Sequence, residues 1–283
     1  MKLITVNVEN LIHTYSVGSP FEKTAVKNVS FELRSGEVMG LIGHTGSGKS
    51  TLVRHLNGLM KPTGGRITVD GEDIFAKNYP LSKLRSRVGL VFQYPEYQLF
   101  EETVRKDIAF GPKNMGCDEE DIMRRVARAA KFTGLSDEEL DASPFELSGG
   151  QKRRAALAGV LAMEPEALIL DEPAAGLDPI SRKRIMLDIL GYAKETNAAI
   201  LLVSHSMEDI AAYTDKVAVM RGGEFVMQGE TREIFSRVDE LAEHGLSVPQ
   251  VTRICNAVGC ESTVLTVEEG KAALSDLLGR CCK

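Results

Sequence analysis

The segment GHTGSGKS, residues 43–50, sets three glycines, a lysine and a serine in the spacing GxxxxGK[ST]. It follows the apolar run EVMGLI and precedes STLVRHLNGL, so it reads as a loop between a strand and a helix. Gly43, Gly46 and Gly48 let the backbone turn tightly, and the N–H groups from Gly43 through His44, Thr45, Ser47 and Thr51 can converge on phosphate oxygens. The positive end of the following helix points at the same anion. Lys49 adds a point charge for the terminal phosphates, and the Ser50 hydroxyl can ligate Mg2+. A second candidate, ALILDE at 167–172, carries an apolar strand out to Asp171 and Glu172. There Asp171 can hold the metal through water, and Glu172 can polarise an attacking water, a role worth about 10²–10⁴ in rate. A third, LSGGQ at 147–151, stands directly before the helical run KRRAALAGVLAM. Ser148, Gly149 and Gly150 then open a helix, which makes a second anion site.

These residues need a sheet to hold them. Short apolar runs recur at 37–42, 87–92, 167–172, 199–204 and 216–220, several apolar on both faces, as in a covered parallel sheet. The first 35 residues and 66–71 alternate instead, which predicts antiparallel strands. Between 101 and 163 the period becomes helical. In DEEDIMRRVARAAKF (118–132), Ile122, Val126, Ala129 and Ala130 fall on one face. The expected fold is α/β: a mixed-sheet core with an antiparallel β subdomain and a helical subdomain inserted at about 94–165. Strands are expected to stop near residue 225, so the domains read as 1–225 and a small accessory domain at 226–283.

With 283 residues, 43% hydrophobic and 26% charged, the chain can bury a core without disulfide staples. Its five cysteines (117, 255, 260, 281 and 282) form no zinc spacing and read as reduced thiols. A net charge of −6 argues against non-specific nucleic-acid binding, and no nucleic-acid partner is expected. The longest purely apolar runs fall well short of the ~20 residues of a membrane helix.

The order of GHTGSGKS, LSGGQ and ALILDE resembles the ATP-binding cassette family, over about residues 3–235. The resemblance implies the P-loop NTPase fold, ATP and Mg2+. It also implies that Ser148, Gly149, Gly150 and Gln151 act on ATP held by a second cassette, in a head-to-tail dimer with two nucleotides between. It casts Gln93 as a Q-loop metal ligand that ends its strand, Asp178 in AAGLDP as the D-loop residue, and His205 in LVSHS as a catalytic switch histidine. Tyr15 in IHTYS resembles the aromatic that stacks on adenine, with Phe21 a competing candidate because SVGSPFEKTA lengthens the connection.

The wording FQYPEYQLFEETVRKDIAFGPKNMG, SPFEKTAV and FELSGGQKRRAALAGVLAMEPEALILDEPAAGLDP narrows the likeness. It resembles the ATPase subunits of energy-coupling factor transporters, most nearly the second of two paralogous ATPases. That implies peripheral placement at the cytoplasmic face of the membrane and a second ATPase, a paralogue or another copy, as dimer partner. It further implies a transmembrane coupling protein and a separate membrane protein that captures a vitamin or metal ion. The tail would help dimerisation. An aromatic groove of Tyr94, Tyr97, Leu99 and Phe100, stiffened by Pro95, would receive a helix of the membrane partner. The alternatives are the ATPase of another ABC transporter, or an ATP-gated clamp outside transport.

Overall fold

The computed structural model describes residues 3–260 and 262–281. β1 (Thr5–Tyr15) and β2 (Lys23–Arg34) pair antiparallel and lead to β3 (Val38–Ile42) and α1 (Lys49–Leu56). Next come β4 (Gly64–Val69), the short β5 (Glu72–Asp73), α2 (Leu81–Arg87) and β6 (Val88–Val91). The helices α3 (Val104–Asn114), α4 (Glu119–Thr133), α5 (Asp137–Asp141) and α6 (Gly149–Leu161) then intervene before β7 (Ala167–Asp171). α7 (Pro179–Thr196), β8 (Ala199–Val203), α8 (Met207–Tyr213), β9 (Lys216–Arg221) and β10 (Glu224–Glu230) follow. The chain finishes in α9 (Thr231–Ser236), α10 (Val238–Glu243), α11 (Gln250–Ala257) and α12 (Val267–Cys281).

The strands sort into two sheets by their apolar patterning. The alternating ones form a sheet ordered β2-β1-β4-β5, and the runs apolar on both faces form one ordered β10-β9-β3-β8-β7-β6. In the second sheet every pairing but β9 with β10 is parallel. Because side chains alternate across a strand, each central strand feeds two cores. Leu168, Leu170, Ile200 and Leu202 pack on the helical side, while Ala167, Ile169, Leu201 and Val203 face the antiparallel sheet.

Local signals explain the helical insertion. Asp118 caps α4 by accepting the Asp121 N–H, three acids occupy its first turn, and Gly134 at φ 61° ends it. Its buried face includes Ile122, Val126, Ala129 and Ala130, the residues that the helical period selects.

The strands do not stop at 225. β10 runs to Glu230, because the Gly222-Gly223 turn folds it back along β9 from Arg221 to Lys216. A boundary at 225/226 would therefore cut a paired strand. Beyond it, Phe235, Leu241, Val248 and Leu265 join the same core as the cassette helices, and Phe235 and Leu241 are fully buried. Cys117, Cys255 and Cys260 are free thiols. The pair Cys281-Cys282 runs outside the described residues. Phe235→Ala should cost about 3–5 kcal/mol, as for other buried phenylalanines. Denaturant unfolding should show the main transition moving to lower denaturant; loss of an early tail transition alone would contradict a shared core.

Candidate functional site

The three loops with chemical potential meet at the carboxyl edge of the parallel sheet. β3 delivers the glycine loop, β7 delivers Asp171, and β8 delivers the segment with His205. Open parallel sheets bind ligands at this edge. Gly43 (φ 149°) and Gly48 (φ 111°) are fixed by contact: a Cβ would stand 2.2 Å from the Met220 carbonyl oxygen and 2.3 Å from that of Ala25. Gly46 (φ 79°) faces open space. α1 starts at Lys49 from Gly48 with no side-chain cap, so its first N–H groups are left for an anion.

Lys49 is largely buried, and its Nζ donates to the carbonyls of Gly43 (2.5 Å) and His44 (3.0 Å). Burial lowers its pKa, and the charges of Glu172 and Asp171 oppose that shift. The Ser47 hydroxyl is buried with no hydrogen-bond partner, an open valence inside the loop. Burial raises the Asp171 pKa, against the opposing influence of the neighbouring Ser50 hydroxyl and the charge of Lys49. A hydroxyl and a carboxylate are hard oxygen donors of the kind Mg2+ takes, and the ion keeps most of its waters. The donor set fits.

Glu172 sits at φ 54°, a left-handed conformation that costs a non-glycine residue energy and clusters at functional sites. Its N–H donates to Val203 O (3.0 Å), and its Oε1 lies 2.7 Å from His205 Nε2. Beside this pair opens a cavity of ≈ 420 Å³ lined by Glu172, Ser204 and His205, with Arg182 and Asp209 on its wall. Thr45 is exposed. The His44 ring leaves the loop and bonds through Nε2 to the His244 carbonyl (3.0 Å), which joins the phosphate loop to the turn after α10. Sequence reasoning gave no hint of that link, since the partners are 200 residues apart.

Tyr15 is partly exposed, with its hydroxyl 3.1 Å from the Thr51 hydroxyl, which fastens the ring over α1. Phe21 stands in the turn before β2, 83% exposed. Gln93 is exposed and lies two residues past β6, which ends at Val91, rather than closing the strand. His205 likewise follows β8 by two residues.

The signature segment presents Gly149 to solvent, with Gly150 half-buried behind it. Ser148 caps α6 by accepting the Gln151 N–H, and the Ser148 N–H donates back to Gln151 Oε1 (2.8 Å). Gln151 also donates to Glu139 (2.7 Å), so its side chain serves as a cap and brace, while Gly149 has nothing within 4 Å of a Cβ. Asp178 caps α7, accepting from Ile180 and Ser181 N–H, and hydrogen bonds from Ser181 hold its carboxyl below the usual range.

The expected aromatic groove divides. A cleft of ≈ 830 Å³ lies between α2, α3 and α6, lined by Leu99, Phe100, Phe110, Met115 and Met163 among others. Tyr94 and Tyr97 are not part of it. The left-handed turn at Tyr94 (φ 55°) sends that ring toward Gly176 and the Arg153 guanidinium (5.5 Å), while Tyr97 is 84% exposed. Arg153 and Glu96 were also missed: the arginine is 3% exposed and lies 2.6 Å from the Glu96 carboxylate.

A family model described as ABC transporter matches residues 26–175. The energy-coupling factor transporter ATP-binding protein EcfA2 of Clostridium tetani is 52% identical over 277 residues, covering 96% of each chain. Its namesake from Clostridium perfringens is 50% identical, over 97% of this chain and 99% of its own. This chain belongs to the ABC transporter ATPases, among the energy-coupling factor ATP-binding proteins.

Solved members of the ABC family share the fold. The cbiO1 protein of Clostridium perfringens, part of the cbiONQ transporter complex, superposes with TM-score 0.76 at 38% identity, covering 89% of this chain and 98% of its own. The cassette MJ0796, solved as a dimer with ADP and Pi, gives TM-score 0.71 at 27% identity, over 80% of this chain and 99% of its own. In this energy-coupling factor ATPase the glycine contacts carry a test. Gly48→Ala should lower the melting temperature of the nucleotide-free protein well beyond Gly46→Ala, whose cost is backbone strain alone, about 1 kcal/mol. Equal losses in thermal unfolding would show that the Ala25 contact does not shape the loop.

Proposed function

We propose that two such cassettes sandwich two ATP molecules head to tail, and that closing and reopening the pair drives import of a vitamin or transition-metal ion. One observation carries the reading. Glu172, strained and 2.7 Å from His205, follows Asp171 at the end of β7, in the same parallel sheet whose β3 leads into the phosphate loop. A general base, its orienting partner and the phosphate-binding elements thus share one sheet edge.

In the proposed cycle the triphosphate enters the loop of residues 43–51, and Lys49 exchanges the Gly43 and His44 carbonyls for phosphate oxygens. Tyr15 stacks on adenine, a contact worth about 1–3 kcal/mol. Ser50, Asp171 and Gln93 would hold Mg2+, which supplies charge neutralisation across the phosphates. Glu172 takes a proton from the attacking water, and His205 orients the terminal phosphate. Ser148, Gly149 and Gly150 of one cassette cover the ATP of the other, with Asp178 at the joint; Gln151 shapes the helix start.

The cleft with Leu99 and Phe100 would receive a helix of the transmembrane coupling protein at the cytoplasmic face. The rings of Phe100 and Phe110 meet edge to face at 5.0 Å and stay half exposed, which suits an apolar partner helix. No helix among the described residues is long and apolar enough to cross a membrane, so membrane work needs that partner. A separate membrane protein would choose the cargo. Exposed Ile254, Val258, Val267 and Leu278 on the tail support a part in dimerisation.

Glu172→Gln tests the cycle. With ATP and Mg2+, turnover should fall about 10²–10⁴-fold, while a dimer accumulates that gel filtration resolves. The tagged variant, solubilised from its host membranes, should bring down polytopic membrane proteins. Normal phosphate release would remove Glu172 as the base, and a dimer without membrane proteins would remove transport.

A further inference from the structure

Two histidines with no part in the cycle lie directly beneath Tyr15. His13 on β1 is 8% exposed, and His55 on α1 is fully buried. His55 Nδ1 is 2.7 Å from the Thr51 carbonyl oxygen, and His55 Nε2 is 3.1 Å from His13 Nδ1. A carbonyl only accepts, so His55 Nδ1 carries the proton. Burial pushes the His55 imidazole down to about 4, which keeps the ring neutral near pH 7. Its Nε2 therefore bears a lone pair and must accept from His13 Nδ1–H. The bonding fixes the His55 tautomer and makes His13 Nδ1 the donor to it.

The pair continues into Tyr15. His13 and Tyr15 stand two residues apart in β1. Their rings meet edge to face, centroids 4.6 Å apart at 81°. The Tyr15 hydroxyl then closes the circuit on the Thr51 hydroxyl at 3.1 Å. Tyr15, His13, His55 and Thr51 thus form a ring of contacts between β1 and α1. Thr51 follows Lys49 and Ser50 on the same helix turn, so the circuit fixes the tyrosine ring relative to the phosphate end. β1 bends here, with register shifts on both sides of His13, so the strand alone does not set that distance.

We propose that His13 and His55 are positioning residues that hold Tyr15 at a set distance from the phosphate loop, so that base and triphosphate are bound together. This rests on Tyr15 being the adenine platform. A paired buried histidine that merely filled the core would support α1 as a whole, and its loss would weaken phosphate binding too. The two roles therefore separate by ligand: inorganic tripolyphosphate reads the loop alone, and ATP reads loop plus platform.

The test is calorimetric titration of the full chain with ATP and with tripolyphosphate, without divalent cation so that no hydrolysis occurs. It uses His13→Leu, His13→Asn, Tyr15→Ala and the double variant His13→Leu/Tyr15→Ala. His13→Leu should weaken ATP about 5–10-fold and leave tripolyphosphate unchanged. His13→Asn, which keeps an N–H donor, should lose less. In the Tyr15→Ala background the His13 effect on ATP should vanish. If Tyr15→Ala leaves ATP affinity unchanged, the platform reading fails and the proposal with it. If Tyr15→Ala weakens ATP but His13→Leu does not, or both His13 variants weaken the two ligands equally, or the losses simply add, the platform stands and the positioning role is overturned.

Discussion

A single buried guanidinium joins the parts of this molecule proposed to face a partner. Arg153, one turn into α6, donates to the carbonyls of Pro173 (2.9 Å) and Ala175 (3.1 Å) and to Glu96 Oε1 (2.8 Å). Those groups come from three places: the loop between Glu172 and Asp178, the segment after Gln93, and the helix that the signature opens. A charge taken out of water must be matched by hydrogen bonds and an opposite charge. Removing either member strands the other, at a cost of about 3–5 kcal/mol. The pair therefore fixes the relative placement of the loops, whatever its net effect on stability.

That constraint divides the protein into a local device and a relayed one. The phosphate loop is local: its glycines, lysine and helix start are consecutive, and its lysine is bonded to carbonyls of its own loop. The surface proposed to meet a second cassette is assembled from residues far apart in sequence. Ser148 at the head of α6 and Asp178 at the head of α7 are both caps, so each is as well placed as its helix. The Arg153 bonds hold α6 against the loop that leads into α7. The cleft with Leu99 and Phe100 shares α6 as a wall, through Ala155, Ala156 and Gly159. One helix thus lines that cleft and carries the signature at its head.

What the sequence made legible follows the same division. The glycine loop, the acid pair and the signature could be read because each is a contiguous pattern whose chemistry needs adjacent residues. The two sheets could be read because burial on one or two faces leaves different periods. Side-chain partnerships across distance left no local trace: Glu96 and Arg153 are 57 residues apart, and His13 and His55 are 42 apart. The aromatic cluster misled because composition carries no direction; a left-handed residue at Tyr94 turns that ring away from the cleft that Phe100 enters. The tail misled because a hairpin strand and the buried Ile234, Phe235, Leu241, Val248 and Leu265 attach it to the cassette core, whereas the short helical patterns after 225 suggested an appendage.

The measurement that bears most directly on this account is hydrogen–deuterium exchange on nucleotide-free Glu96→Gln, which keeps the side chain's shape and removes its charge. The account predicts faster exchange both in the first turn of α6 (residues 149–152) and in the loop of residues 173–178. The phosphate loop at 43–50 should exchange as in the parent protein. Unchanged exchange at the first two segments, or an equal rise across all three, would contradict the claim that one buried ion pair holds these loops in register.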